Sequence, residues 1–311
     1  MVSERVRIGI GFAVISLIWG STWLGIKIGL GSLPPMYAVA IRFTLAAVII
    51  YAVMRIRGER MPVDRNSVYL YLSVALISFS FPFALVYWAE QYIPSGLASV
   101  LFALNPFVVA LGSHFLLKDE RMTGFKLGGV SLGFLGLIVI FWADLRLGGS
   151  GAGPMVAVLV STILQGISLV LVKKYGGRTS PMAITLGGML FGICILYALA
   201  FAMEDISAVH LDLKGIGSIL YLASFGSVVT FVIYYWLLKR VEAVYLSLVA
   251  FVTPVLAVIL GTFLLDETFS PHMFSGAALV LCGILVANGK DMLSALRKRR
   301  SKPLLEFTDP G

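Results

Sequence analysis

Residues 87–136 read YWAEQYIPSGLASVLFALNPFVVALGSHFLLKDERMTGFKLGGVSLGFLG, and their landmarks return further along the chain. Tyr87-Trp88 recurs as Tyr235-Trp236 and Pro106 recurs as Pro254, each 148 positions later (235 − 87 and 254 − 106). Leu116-Leu117 returns as Leu264-Leu265, after which one residue is lost, so that Glu120, Gly129 and Gly136 match Glu267, Gly276 and Gly283 at a separation of 147. One offset with a single gap, placed at a short polar loop, indicates an internal duplication rather than chance.

The material of the chain is apolar. Hydrophobic residues make up 59% and charged residues 13%, against about 45–50% and about 25% in soluble domains. Mean hydropathy is +0.95. A water-facing surface cannot be made from this, and a multi-pass membrane protein is implied. Cys194 and Cys282 lie within apolar runs, and His114, His210 and His272 fall on no metal-ligand spacing. No disulfide framework, metal site or cofactor is therefore expected.

Ten apolar runs follow one another: 8–30, 35–54, 68–90, 96–117, 124–143, 154–172, 180–202, 215–238, 243–265 and 271–288. The first is too long for a signal peptide and is read as a retained span. Lysine and arginine test the layout. With the amino end inside, the inner loops and tails hold twenty basic residues and the outer ones only Arg146 and Lys214, with Lys27 and Arg42 left inside spans. A span count wrong by one would destroy that asymmetry, so both termini are expected in the cytoplasm of a cell whose inner or plasma membrane holds the chain. Five spans per half is an odd number. The halves must then insert in opposite senses.

The expected fold is thus an all-α integral membrane protein of ten transmembrane helices in two inverted five-helix repeats. Its parts are residues 1–147, a Gly-rich connector at 148–153 read as a flexible loop, a second repeat at 154–290, and a basic cytoplasmic tail at 291–311.

Candidate site residues are the polar and aromatic side chains aimed into such a bundle. Trp19, Trp23 and Lys27 recur every fourth residue and share one helix face. Trp23 reads equally as an interfacial anchor. Phe79, Phe83 and Tyr87 form a second stripe, echoed by Phe231 and Tyr235, and together they make aromatic walls or core filling. Asn105-Pro106 and Thr253-Pro254 set bends or hinges in related spans. Gln165, spaced with Ser161 and Ser168, offers a polar stripe. Lys27, Arg42 and Glu90 are charges within the outer half of the spans, which is costly placement and marks function. Either Glu90 neutralises Lys27 or Arg42, or Arg42 takes a substrate carboxylate. Gly25 and Gly29, Gly124 and Gly128, Gly129 and Gly133, and Gly188 and Gly192 are spaced for close helix approach. No acidic residue sits deep in a span, which points to facilitated or weakly coupled movement.

Several motifs also resemble a known family. Trp19-Gly20-Ser21-Thr22-Trp23, Ile41-Arg42-Phe43, Asn105-Pro106 and the loop ending Leu117-Lys118-Asp119-Glu120 resemble the EamA family of the drug/metabolite transporter superfamily, over about residues 8–290. The resemblance implies a ten-helix inverted-repeat exporter of amino acids or other small metabolites. The second half departs from the pattern, with Gly166-Ile167-Ser168 for the opening motif and Leu190 where the first has Arg42. The expected function is export of small amphipathic metabolites, amino acids including aromatic ones first, by alternating access. Drugs are alternative cargo. A lipid flippase or a nucleotide-sugar carrier of similar shape is a rival reading. A membrane-embedded lipid-processing enzyme is a rival of another class, for which no nucleophile or carboxylate pair is seen at suitable spacing. Expected partners are a small-molecule substrate and membrane lipid, with a monomer as the working unit and no nucleic acid.

Overall fold

The computed structural model describes residues 4–116, 123–147, 152–177, 179–238, 240, 249–287 and 289. The connector residues 148–151, the loop holding Lys118 and Glu120, the start of the ninth span at 243–248 and the tail at 291–311 lie outside the described residues.

The described chain is helical throughout: α1 Glu4–Gly29, α2 Pro35–Ile56, α3 Arg65–Val74, α4 Phe81–Ala89, α5 Ser95–Phe102, α6 Asn105–Leu116, α7 Gly124–Leu147, α8 Ala152–Tyr175, α9 Pro181–Met203, α10 Leu213–Ala223, α11 Thr230–Leu238, α12 Val249–Leu265 and α13 Pro271–Ala287. A π-helical turn, Ala75–Ser80, joins α3 to α4, and another, Ser224–Val229, joins α10 to α11. Counting each joined pair and α5–α6 as one span gives ten. Seven stretches are long and apolar enough to cross a membrane, and three shorter apolar helices stand at the last three positions. Ala152 and Gly153, expected in the flexible connector, instead open α8.

Local chemistry sets the ends. Pro35 and Pro181 occupy first-turn positions where a missing N–H costs nothing. Ser180 accepts from Ala183 N and Asp212 from Gly215 N, capping α9 and α10. Gly58, at φ +66°, ends α2 in the left-handed region.

Cross-helix bonds separate two faces. On one, Ser180 Oγ donates to Glu59 Oε2 at 3.2 Å, joining the basic loop after α2 to the start of α9. On the opposite, basic-poor face, Glu204 beyond α9 accepts from Met36 N at 2.8 Å and Tyr37 N at 3.1 Å. Glu267 beyond α12 likewise accepts from Ser95 N at 2.7 Å and Ser95 Oγ at 3.0 Å. Each carboxylate caps a helix that begins with or just after a proline in the other half of the chain, where the exposed N–H groups and helix dipole favour an anion.

The halves pack reciprocally. α2 lies on α9 and α7 on α13; α1 lies on α10–α11 and α12, while α8 lies on α4 and α5–α6. At the α7–α13 crossing a side chain on Gly136 would come within 2.6 Å of Gly276 O, and one on Gly276 within 2.8 Å of Gly136 O. A side chain on Gly283 would likewise stand 2.6 Å from Gly129 O. Backbones this close require glycine. By contrast a side chain on Gly124 would meet nothing within 4 Å.

Candidate functional site

Arg42 lies about two turns into α2 and is only 4% exposed. Its Nη1 donates to the Tyr87 hydroxyl at 3.2 Å and its Nη2 to Ser227 Oγ at 3.4 Å. The guanidinium carbon stands 5.4 Å from the Phe43 ring centroid and 5.3 Å from that of Phe83. Both are cation–π distances. The rings support one another: Phe43 meets Phe83 edge-on at 4.8 Å and Phe79 edge-on at 5.3 Å. Phe83 and Tyr87 of the stripe thus meet the Arg42 head, while Phe79 packs on Phe43 and Phe83. Buried Nε of Arg42 has no hydrogen-bond partner.

Ser227 is the member that sequence reasoning missed. It sits in the π turn Ser224–Val229, where its hydroxyl also donates to Leu222 O five residues back, at 3.1 Å. Ser80 does the same in the first π turn, donating to Ala75 O at 2.7 Å. The duplication gave no signal for Ser227, because at the 148-residue offset of this part of the chain it answers to Phe79 (227 − 148) and Ser80 to Val228 (80 + 148). Gly226 next door leaves room: a side chain there would press on Thr22 at 2.9 Å and approach Arg42 Nη2 at 3.6 Å.

Glu90 closes α4 and is fully buried, with both carboxylate oxygens lacking a hydrogen-bond partner. Lys27 reaches it through the backbone: Nζ donates to the carbonyl of Glu90 and, at 3.0 Å, to that of Ile93. A cation at the free carbonyls of a helix end is well placed, so the lysine is occupied without touching the carboxylate.

The other candidates fall into separate groups. Trp19 meets Tyr234 at 5.4 Å, in a cluster with Ile15, Leu237 and Val249. Trp23 meets Phe102 at 5.4 Å and packs against the two larger clusters of the core. Ser21, within the opening motif, shares a 2.6 Å hydrogen bond with the Tyr221 hydroxyl, and Gly20 lets α12 approach. Much of that motif is thus helix packing. Asn105 donates to Thr162 O at 3.2 Å, next to Gln165 on α8, forming a third polar group between α6 and α8. The side chains of Phe231 and Tyr235 lie outside the described residues, although their backbones belong to α11. Pro106 stands in the first turn of α6, just after the chain breaks at Ala103 and Leu104, whereas Pro254 lies inside continuous α12. The two prolines do different things to their helices.

An apolar ten-span bundle with a buried arginine bonded from the first half to Ser227 of the second has the build of a multi-pass membrane transporter. The chain belongs to the EamA-like transporter family, whose model matches residues 7–142 and again 153–289. It is 31% identical over 287 residues to the uncharacterized inner membrane transporter YedA of Escherichia coli strain K12, covering 90% of each chain. It is 26% identical over 282 residues to the uncharacterized transporter YoaV of Bacillus subtilis strain 168, covering 90% of this chain and 96% of YoaV. A solved crystal structure superimposes with a TM-score of 0.67 at 18% identity, covering 96% of this chain and 99% of the other.

Proposed function

We propose that the chain exports small amphipathic metabolites across the inner membrane, amino acids including aromatic ones first, with Arg42 as the anchor for the substrate carboxylate. The carrying observation is a buried guanidinium whose bonded partners, Tyr87 and Ser227, are neutral and whose Nε is unfilled. A buried cation seeks an anion, and guanidinium fits a carboxylate two bonds at a time. The rings of Phe43 and Phe83 beside it suit an apolar or aromatic side chain. The reading makes this protein similar in task to the bacterial aromatic amino-acid exporter YddG.

The mechanism is alternating access. Reciprocal packing of the two halves supports an inverted pair of five-helix repeats, with residues 148–151 between them and the basic tail after them in the cytoplasm. On the basic-poor face, carboxylates reach from the second half to the first at Glu204 and Glu267, and Lys27 ties α1 to the α4–α5 turn. These ties hold that face shut over Arg42 and part when the halves rock. The π turns, which leave carbonyls off the regular ladder in both halves, are the hinges we assign beside Pro106 and Pro254.

Proteoliposomes loaded with radiolabelled L-phenylalanine test the reading. Wild-type protein releases the label faster than empty liposomes, and Arg42→Gln lowers the rate about tenfold or more, the loss expected from one charge-assisted pairing. Equal release by wild type and Arg42→Gln, with both proteins folded by size exclusion, contradicts the assignment.

A further inference from the structure

The geometry points to Glu90 as a proton-binding site whose occupancy is tied to opening of the basic-poor face, so that pH sets how readily that face opens. This rests on the alternating-access reading above, and it leaves the movement of substrate itself facilitated.

The sequence reading set Glu90 in the outer half of its span, as a neutralising partner for Lys27 or Arg42. In the folded bundle the residue is fully buried and neither carboxylate oxygen has a hydrogen-bond partner. The charges that act on it come from three elements: Lys27 on α1, Arg42 on α2 and Glu267 beyond α12. Tyr87, one turn earlier on its own helix, offers its hydroxyl to Arg42. α5 carries no titratable residue, and those of α8 are Lys173, Lys174 and Tyr175 at its opposite end. Lys27 is committed to backbone carbonyls, Arg42 to Tyr87 and Ser227, and Glu267 to the first turn of α5.

A bare carboxylate without a single hydrogen bond is costly in such a place, and a bound proton removes the charge. The balance reverses when this face opens. Water then hydrates the oxygens while Lys27 and Arg42 remain near, and the anion is the favoured form. The proton leaves for that water and returns from it before the face shuts. Because the two conformations bind the proton unequally, proton binding must in turn bias which face is open. The same closing movement that seats Glu267 on Ser95 and Lys27 on Ile93 O therefore selects the protonated carboxyl.

Two measurements on the reconstituted full chain decide it. In the first, infrared spectra of purified protein are titrated with pH, with no substrate present. Wild type shows a protonated-carboxyl band that fades as pH rises, Glu90→Asp keeps a titrating band, and Glu90→Gln lacks it. In the second, proteoliposomes loaded with L-phenylalanine are held at equal pH on both sides over a series of pH values. Release by wild type slows as pH falls, by up to about tenfold per pH unit where one proton holds the face shut, a response that Glu90→Gln abolishes. A titrating band identical in wild type and Glu90→Gln overturns the proposal, as does phenylalanine release by wild type that does not change with pH; the exporter reading survives both. Titration of the Glu90 band without any phenylalanine movement has the opposite meaning, supporting the proton site and removing the amino-acid reading.

Discussion

Around residues 42 and 90 the first half of the chain carries charge, and the corresponding places in the second half do not. Arg42 answers to Leu190, which is 47% exposed on the outside of the bundle, and at the 148-residue offset Glu90 answers to Leu238 (90 + 148). The scaffold, by comparison, is doubled faithfully. Both halves contain a π turn, Ala75–Ser80 and Ser224–Val229, and both glycine pairs of the α7–α13 crossing approach each other in the same way. The lesson is that duplicated packing builds the frame while chemistry is placed on one side of it. In the proposed site one half supplies the single cation, Arg42, and the other supplies a neutral partner to it, Ser227.

Breaking the shared part should cost most. Gly136→Leu or Gly283→Leu drives a side chain into facing backbone at 2.6 Å, where nothing flexible can yield, and should destabilise the bundle by upwards of about 3 kcal/mol. Loss of the monodisperse peak in size exclusion would show it, with Gly124→Leu, which meets open space, behaving as wild type.

The two serines sharpen the comparison at middle scale. Ser227→Ala removes a bond to a buried cation and should weaken phenylalanine binding about tenfold, the low end of the roughly 1.5–3 kcal/mol of a hydrogen bond to a charged group. Ser80→Ala removes a π-turn bond in the first half without touching Arg42 and should lower the melting temperature while leaving affinity unchanged. Equal effects of the two on affinity would contradict the division of labour.

The smallest effect lies outside the site altogether. The hydroxyl of Ser67, with backbone N–H groups, holds the Asp64 carboxyl below the ordinary carboxylate range at the start of α3. A depressed carboxyl contributes stability above its unfolded value, about 3.9, and loses it as pH falls through the folded one. Thermal melts of wild type and Asp64→Ala should differ slightly at neutral pH and converge in acid.

Much of this was legible beforehand, for identifiable reasons. Ten spans follow from apolar runs and charge placement, and their ends fall within a few residues of expectation because proline, glycine and capping residues punctuate them. Arg42, Phe83 and Tyr87 were legible because a deep cation and an i, i+4 stripe are periodic signals. The π turns were not, since hydrophobic spacing alone does not reveal where a helix takes up an extra residue per turn, and Ser227 was hidden with them. Lys27 was read by its charge, when the carbonyls at the end of α4 were the acceptors that mattered. Pro106 was read as a mid-span bend; the break two residues earlier leaves it starting a new helix instead.

The central claim is that Arg42 holds a carboxylate, and competition binding tests it directly. Purified protein is given labelled L-phenylalanine together with either phenylacetate, which keeps the carboxylate, or phenethylamine, which lacks it. The account predicts displacement by phenylacetate, little by phenethylamine, and loss of the distinction in Arg42→Gln. Displacement by phenethylamine as strong as by unlabelled phenylalanine would contradict it.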